Sequence, residues 1–139
     1  MNNSLIYIIN NGAASVLESG VLPLATIARR RCKCIQSDND SIILNAPGYY
    51  RICATVTFTA PEAGVASIEV EKNGVTIPGL VGSTSITTAT TEVGQITING
   101  IIRVGCYDGA SSLTLINTGV AINTSNISVD VEYLGWYYA

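Results

Sequence analysis

An all-β antiparallel sandwich is the fold class this sequence predicts, on three observations. Apolar and polar residues alternate in short runs, turn residues recur roughly every ten positions, and no segment is able to sustain a helix. The best helical alternative, Ala13 to Ser19, is bracketed by Gly12 and Gly20 and is too short to hold a helix, so it is read as a strand edge or loop. The 139 residues suit a single domain spanning 1–139, large enough to bury a core without metal or disulfide support. No linker and no fixed-period repeat interrupts it.

Taken in order, Leu5 to Ile9 is a strand-like apolar run, too short for the apolar segment of a secretory signal. Met1, Asn2, Asn3 and Ser4 add no positive charge ahead of it, so no secretory leader is expected. Arg29, Arg30 and Arg31 form a small basic run, read as a solvated or interface loop. After Pro47 and Gly48 comes the clearest strand. Tyr50, Ile52, Ala54, Val56 and Phe58 alternate with Tyr49, Arg51, Cys53, Thr55, Thr57 and Thr59, and the first set is expected to face the core. Pro61 to Gly64 supply a loop. Ala66, Ile68 and Val70 then alternate with Ser67, Glu69 and Glu71 before the hairpin signal Asn73, Gly74.

Ser83 to Thr91 is nearly all Ser, Thr, Ile and Ala and is read as a loop in preference to an edge strand. Ile96 and Ile98 alternate with Thr97 and Asn99, and Gly100-Ile101-Ile102 breaks the two-residue period as a bulge would. Asp108 and Gly109 close that run. Leu113 and Leu115 mark the next strand, ending at Asn117 to Gly119, and Ile127 to Tyr133 the last, running towards Trp136.

Composition narrows the function. Hydrophobic residues make up 47% of the chain and charged residues only 12%, against about 25% charged in an average soluble protein. A small domain with so few charges is expected to hide part of its apolar surface against other copies or another protein. Seven basic against ten acidic residues leave a net charge of −3, without the basic excess that nucleic-acid binding draws on. No run reaches the roughly 18 apolar residues of a membrane-spanning helix. Neither nucleic acid nor membrane is an expected partner.

The sequence has no histidine, which removes Ser-His-Asp and Cys-His triads and imidazole acid/base steps. Glu69 and Glu71 read as the solvent side of a strand and not as a glycosidase pair. No enzymatic activity and no cofactor are expected. Asp38, Asn39, Asp40 and Ser41 cluster oxygen atoms that could hold calcium but lack the distant bidentate Glu of a full loop, and a polar turn is the simpler reading. Cys32 and Cys34 flank Lys33, with Cys53 and Cys106 far away. A Cys-x-Cys without a second knuckle is a poor zinc signature. A disulfide from Cys32 or Cys34 to Cys106 and free, partly buried thiols both stand as readings. Cys53 falls opposite Ile52 and Ala54, on a face that is either solvent or a subunit interface. Tyr133, Trp136, Tyr137 and Tyr138 concentrate large, hydrogen-bonding rings at the C-terminal end. They suit a strand that covers the core or a tail that meets neighbouring subunits.

Three segments in order carry a family resemblance: Pro47-Gly48-Tyr49-Tyr50 opening a long strand, Ser67 to Val70 leading into Lys72-Asn73-Gly74-Val75, and a Gly-rich aromatic C-terminal strand. Over Asn45 to Tyr133 the chain resembles the TNF-like superfamily, including the globular heads of complement and of collagen-like bacterial surface proteins. Residues 1–40 fit it less closely. The resemblance implies a ten-strand jelly roll and a homotrimer whose final strand lies near the threefold axis, making Tyr49, Cys53 and the C-terminal aromatics candidate interface residues. It carries over no ligand-binding residue. The short, Thr- and Gly-rich character is similar to small domains on tailed-phage virions and on Gram-positive spores or surfaces. With neither collagen stalk nor signal peptide, the phage address is the first expectation: a capsid decoration, head-fibre or tail-attachment protein that contacts other virion proteins. A carbohydrate- or receptor-binding module on a bacterial spore or cell surface is the alternative. For that reading the Ser83–Thr91 and Asn117–Asn126 segments would meet a surface glycan.

Overall fold

A computed structural model describes residues 4–24, 26–31 and 34–135. Its strands, in order, are β1 (Leu5–Asn10), β2 (Ala14–Val16), β3 (Thr26–Arg31), β4 (Ile35–Asp38), β5 (Ser41–Leu44), β6 (Gly48–Thr59), β7 (Gly64–Lys72), β8 (Val75–Ile86), β9 (Gly94–Val104), β10 (Ser111–Asn117) and β11 (Ile122–Gly135). They form two antiparallel sheets, one ordered β3-β1-β11-β6-β9 and the other β4-β5-β10-β7-β8. These two paths supply the ten strands expected. The three-residue β2 is an addition that pairs with Ile122–Thr124 of β11 beyond the end of β1. The chain changes sheet between β3 and β4, β5 and β6, β6 and β7, and after β8, β9 and β10, so sequence neighbours mostly lie in opposite layers.

The two-residue periodicity selects the core. On β6, Tyr50, Ile52, Ala54, Val56 and Phe58 are all buried, as are Ile127, Val129 and Val131 on β11 and Leu113 and Leu115 on β10. They meet Ile6, Ile8, Ile42, Leu44, Ile68 and Val70 in one continuous layer between the sheets. Burying each large aliphatic or aromatic side chain contributes roughly 1.5–3 kcal/mol before chain entropy is counted. The Asn73-Gly74 hairpin forms between β7 and β8, with φ of 54° and 81° at the two turn residues, the left-handed pair that a tight two-residue turn needs.

Three expectations are corrected. Arg29, Arg30 and Arg31 lie within β3, an edge strand of the first sheet, because Arg31, Arg30 and Arg29 pair with Leu5, Ile6 and Tyr7. Ser83–Ile86 belongs to β8, paired with Gly64–Ser67, which leaves only the following residues as loop. The bulge at Gly100 is absent. β9 pairs with β6 without a break, Gly100 opposite Ile52 and Ile102 opposite Tyr50. Gly100 instead occupies an inward position whose side chain is supplied by another strand, since a Cβ there would run into Leu80 Cδ2. The irregularity sits on β8, between the Glu71–Thr76 and Glu69–Val81 pairs. There Pro78 and Gly79 loop outward and Leu80 turns into the core.

Candidate assembly face

The outer face of the first sheet carries the side chains that alternate with the core set. Strand register arranges them in rows across β3, β1, β11, β6 and β9. One row reads Arg31, Leu5, Glu132, Arg51, Ile101; the next Arg29, Tyr7, Asp130, Cys53, Asn99; the next Thr26, Ile9, Ser128, Thr55, Thr97. Thr57 and Gln95 continue it, with the Gln95 amide donating to Thr57 Oγ1 at 3.3 Å. Every one of these side chains is half-buried or exposed in the single subunit. The face is thus a mixture of aliphatic, aromatic and uncharged hydroxyl and amide groups, with arginines along its β3 edge. Arg51 lies near its centre, where Glu132 and Asp130 are the carboxylates among the described residues.

Those carboxylates differ. The Arg51 guanidinium donates to Glu132 Oε1 at 3.2 Å. With both side chains about half exposed, this pair is worth only about 0.2–1 kcal/mol. Asp130 sits between Tyr7 and Cys53. Burial and then the neighbouring Glu132 charge raise its carboxyl above the ordinary range. Burial, followed by the Asp130 charge, likewise raises the Cys53 thiol.

Of the residues singled out in the sequence, Tyr49 and Cys53 lie half-buried on this face. Tyr133 is on the opposite side of its strand. Its ring meets Tyr50 edge-on at 5.1 Å between centroids, and its hydroxyl donates to the Pro47 carbonyl at 2.8 Å. Burial raises the Tyr133 phenol. Trp136, Tyr137, Tyr138 and Cys32 lie outside the described residues. Cys34 carries a free, half-buried thiol, and Cys106 is exposed in the turn after β9. Asn39 and Asp40 form the two-residue turn between β4 and β5. The Ser41 hydroxyl donates to the Asp38 carbonyl, and Asp40 Oδ1 accepts from the Leu24 amide. Glu69 and Glu71 lie on the outer face of the second sheet, where the Thr76 hydroxyl donates to Glu69 at 2.9 Å.

Sequence reasoning overlooked Leu5, Tyr7, Ile9, Ile101 and Asp130. For β1 a signal existed. Leu5-Ile6-Tyr7-Ile8-Ile9 is apolar on both faces, the pattern of a strand covered on both sides. Asn117, offered as a glycan contact, is instead buried. Its amide donates to the carbonyls of Val16, Leu17 and Val120.

No family model matches the chain, and no curated protein matches it by sequence. Solved structures do match in fold. Eiger TNF from S. frugiperda superposes with a TM-score of 0.75 at 9% identity, over 99% of this chain and 94% of that one. The globular domain of zebrafish complement 1qA gives 0.66 at 6% identity, over 97% and 98%. The PRD1 vertex protein P5 gives 0.63 at 16% identity, over 95% and 97%. With the two-sheet strand order and the core already described, these likenesses establish that the chain has the TNF-like jelly-roll fold.

Proposed function

We propose that the protein is a non-enzymatic structural module that assembles through the outer face of its first sheet into a homotrimer and decorates a phage virion. The observation that carries the assembly reading is the composition of that face. Leu5, Tyr7, Ile9, Ile101 and a hydroxyl-rich field stand where a solvated sheet ordinarily alternates charges. The virion address is supported by the shared fold of a vertex protein and by the resemblance noted in the sequence. Without histidine, and with the Glu69–Glu71 pair on an open sheet face, a catalytic constellation has little to be built from.

Native mass spectrometry tests assembly directly. A mass three times that of the 14.6 kDa chain is expected. Thr55→Arg, which places a charge in the middle of the face, is expected to give folded monomers. A monomeric parent protein would overturn the reading. Recovery of the chain from purified phage particles tests the address. The second reading, a glycan- or receptor-binding module, draws on the exposed threonines after β8. Their backbone is preorganised by Glu92, whose carboxylate accepts from the Thr87 and Thr88 amides at 2.8 and 2.9 Å. Binding of a defined sugar on a glycan array, lost in Thr88→Ala, would favour it.

A further inference from the structure

Asp130 and Glu132 are the only carboxylates among the described residues on the proposed assembly face, and they lie two apart on β11, its central strand. The groups around Asp130 are Tyr7 opposite it on β1, Cys53 opposite it on β6, and Glu132 along its own strand. Arg51 is one row away and is engaged by Glu132. Arg29 and Arg31 stand beyond β1 on β3, and Arg103 lies further off on β9. Among the described residues no cation is paired opposite Asp130, and its carboxylate is already partly desolvated. A second subunit laid on this face removes more water from it. Covering the face therefore costs more while this carboxylate is charged than when it is protonated.

We infer that Asp130 makes self-association acid-dependent: subunits bind one another more tightly when its carboxyl is protonated. This rests on the assembly reading above and adds its regulation. The sign follows from linkage. Burial already raises the carboxyl in the free subunit, and covering the face raises it further, so the assembled state holds the proton to higher pH. Association then strengthens as pH falls through the assembled-state value and weakens as pH rises past it. For each Asp130 that is covered, a further rise of one unit contributes a factor of about ten to the association constant.

Sedimentation velocity over a concentration series, repeated at successive pH values from about pH 8 downwards into the carboxylate range, is the test. The expected result is at least a roughly tenfold tighter assembly at the acid end. Asp130→Asn should assemble tightly and almost independently of pH. Glu71→Gln, on the outer face of the other sheet, should keep the parental response. An assembly that ignores pH, tightens towards alkaline pH, or keeps its acid response in Asp130→Asn overturns the inference and leaves the trimer reading intact. A parent protein monomeric at every pH and concentration overturns both.

Discussion

Asn117 shows how much one side chain holds here. Besides its three donated bonds, its Oδ1 accepts from the Gly119 amide at 3.0 Å, while its backbone pairs with Ser19 and Gly20. It thereby fastens the loop after β2 to β10. Asn117→Ala leaves buried carbonyls without donors and is expected to cost about 3 kcal/mol in urea denaturation. Tyr50 is the second case. Its hydroxyl donates to the Ala46 carbonyl and accepts from the Ala46 amide at 3.2 Å, closing the turn that enters β6. Burial pushes its phenol up to about 12 from an ordinary 10.0. The folded state holds this proton more firmly than the unfolded state, so the contribution is complete below 10 and lost as pH rises through 12. Thermal melts across that window should fall in the parent protein and fall less in Tyr50→Phe, which at neutral pH loses about 1–2 kcal/mol. Nothing in the sequence separates Asn117 from any other turn asparagine, because its partners come from residues distant along the chain.

Among the elements, legibility followed regularity. β6, β7 and β10 alternate strictly, and both their existence and their inward faces are readable from period two alone. β8 and β9 are not independent, and that defeats reading each by itself. Gly100 looks like a break in β9 only because Leu80, the residue that fills its place, is contributed by β8. Gly100→Ala is expected to destabilise by about 1–3 kcal/mol. Leu80→Ala in the same chain should recover part of that, a coupling that a double-mutant cycle measures. In the loop after β8, hydrogen bonds to the backbone amides of Thr88 and Thr87 hold the Glu92 carboxyl below its ordinary range. Its contribution is present above the unfolded-state value and disappears as pH falls through the folded one. Glu92→Gln should speed amide exchange at Thr87 and Thr88 at neutral pH, with no change in the core strands.

For the whole molecule, the accessible surface of 6975 Å² matches the roughly 6,900 Å² expected of a folded monomer of this mass. The core is complete within one copy, and any assembly joins finished subunits. All five arginines, Arg29, Arg30, Arg31, Arg51 and Arg103, lie on strands of the first sheet, whereas Glu69 and Glu71 mark the outer face of the second. This polarity was invisible in the modest net charge. Sequence periodicity says which side of its strand a residue occupies, but not which strands lie beside it. The apolar rows of the assembly face therefore became legible only through the register. The position of β11 has a biosynthetic consequence. It is the last described strand, yet it lies between β1 and β6, pairing with β6 along most of its length and with the whole of β1 over residues 127–132. Until residues 122–135 have emerged from the ribosome, β1 and β6 each present an open edge to other nascent chains. The first sheet can close only after synthesis of this segment. Chains interrupted before Ile122 are expected to enter the aggregated fraction in pulse-chase sedimentation, while chains extending through Gly135 fold to soluble subunits.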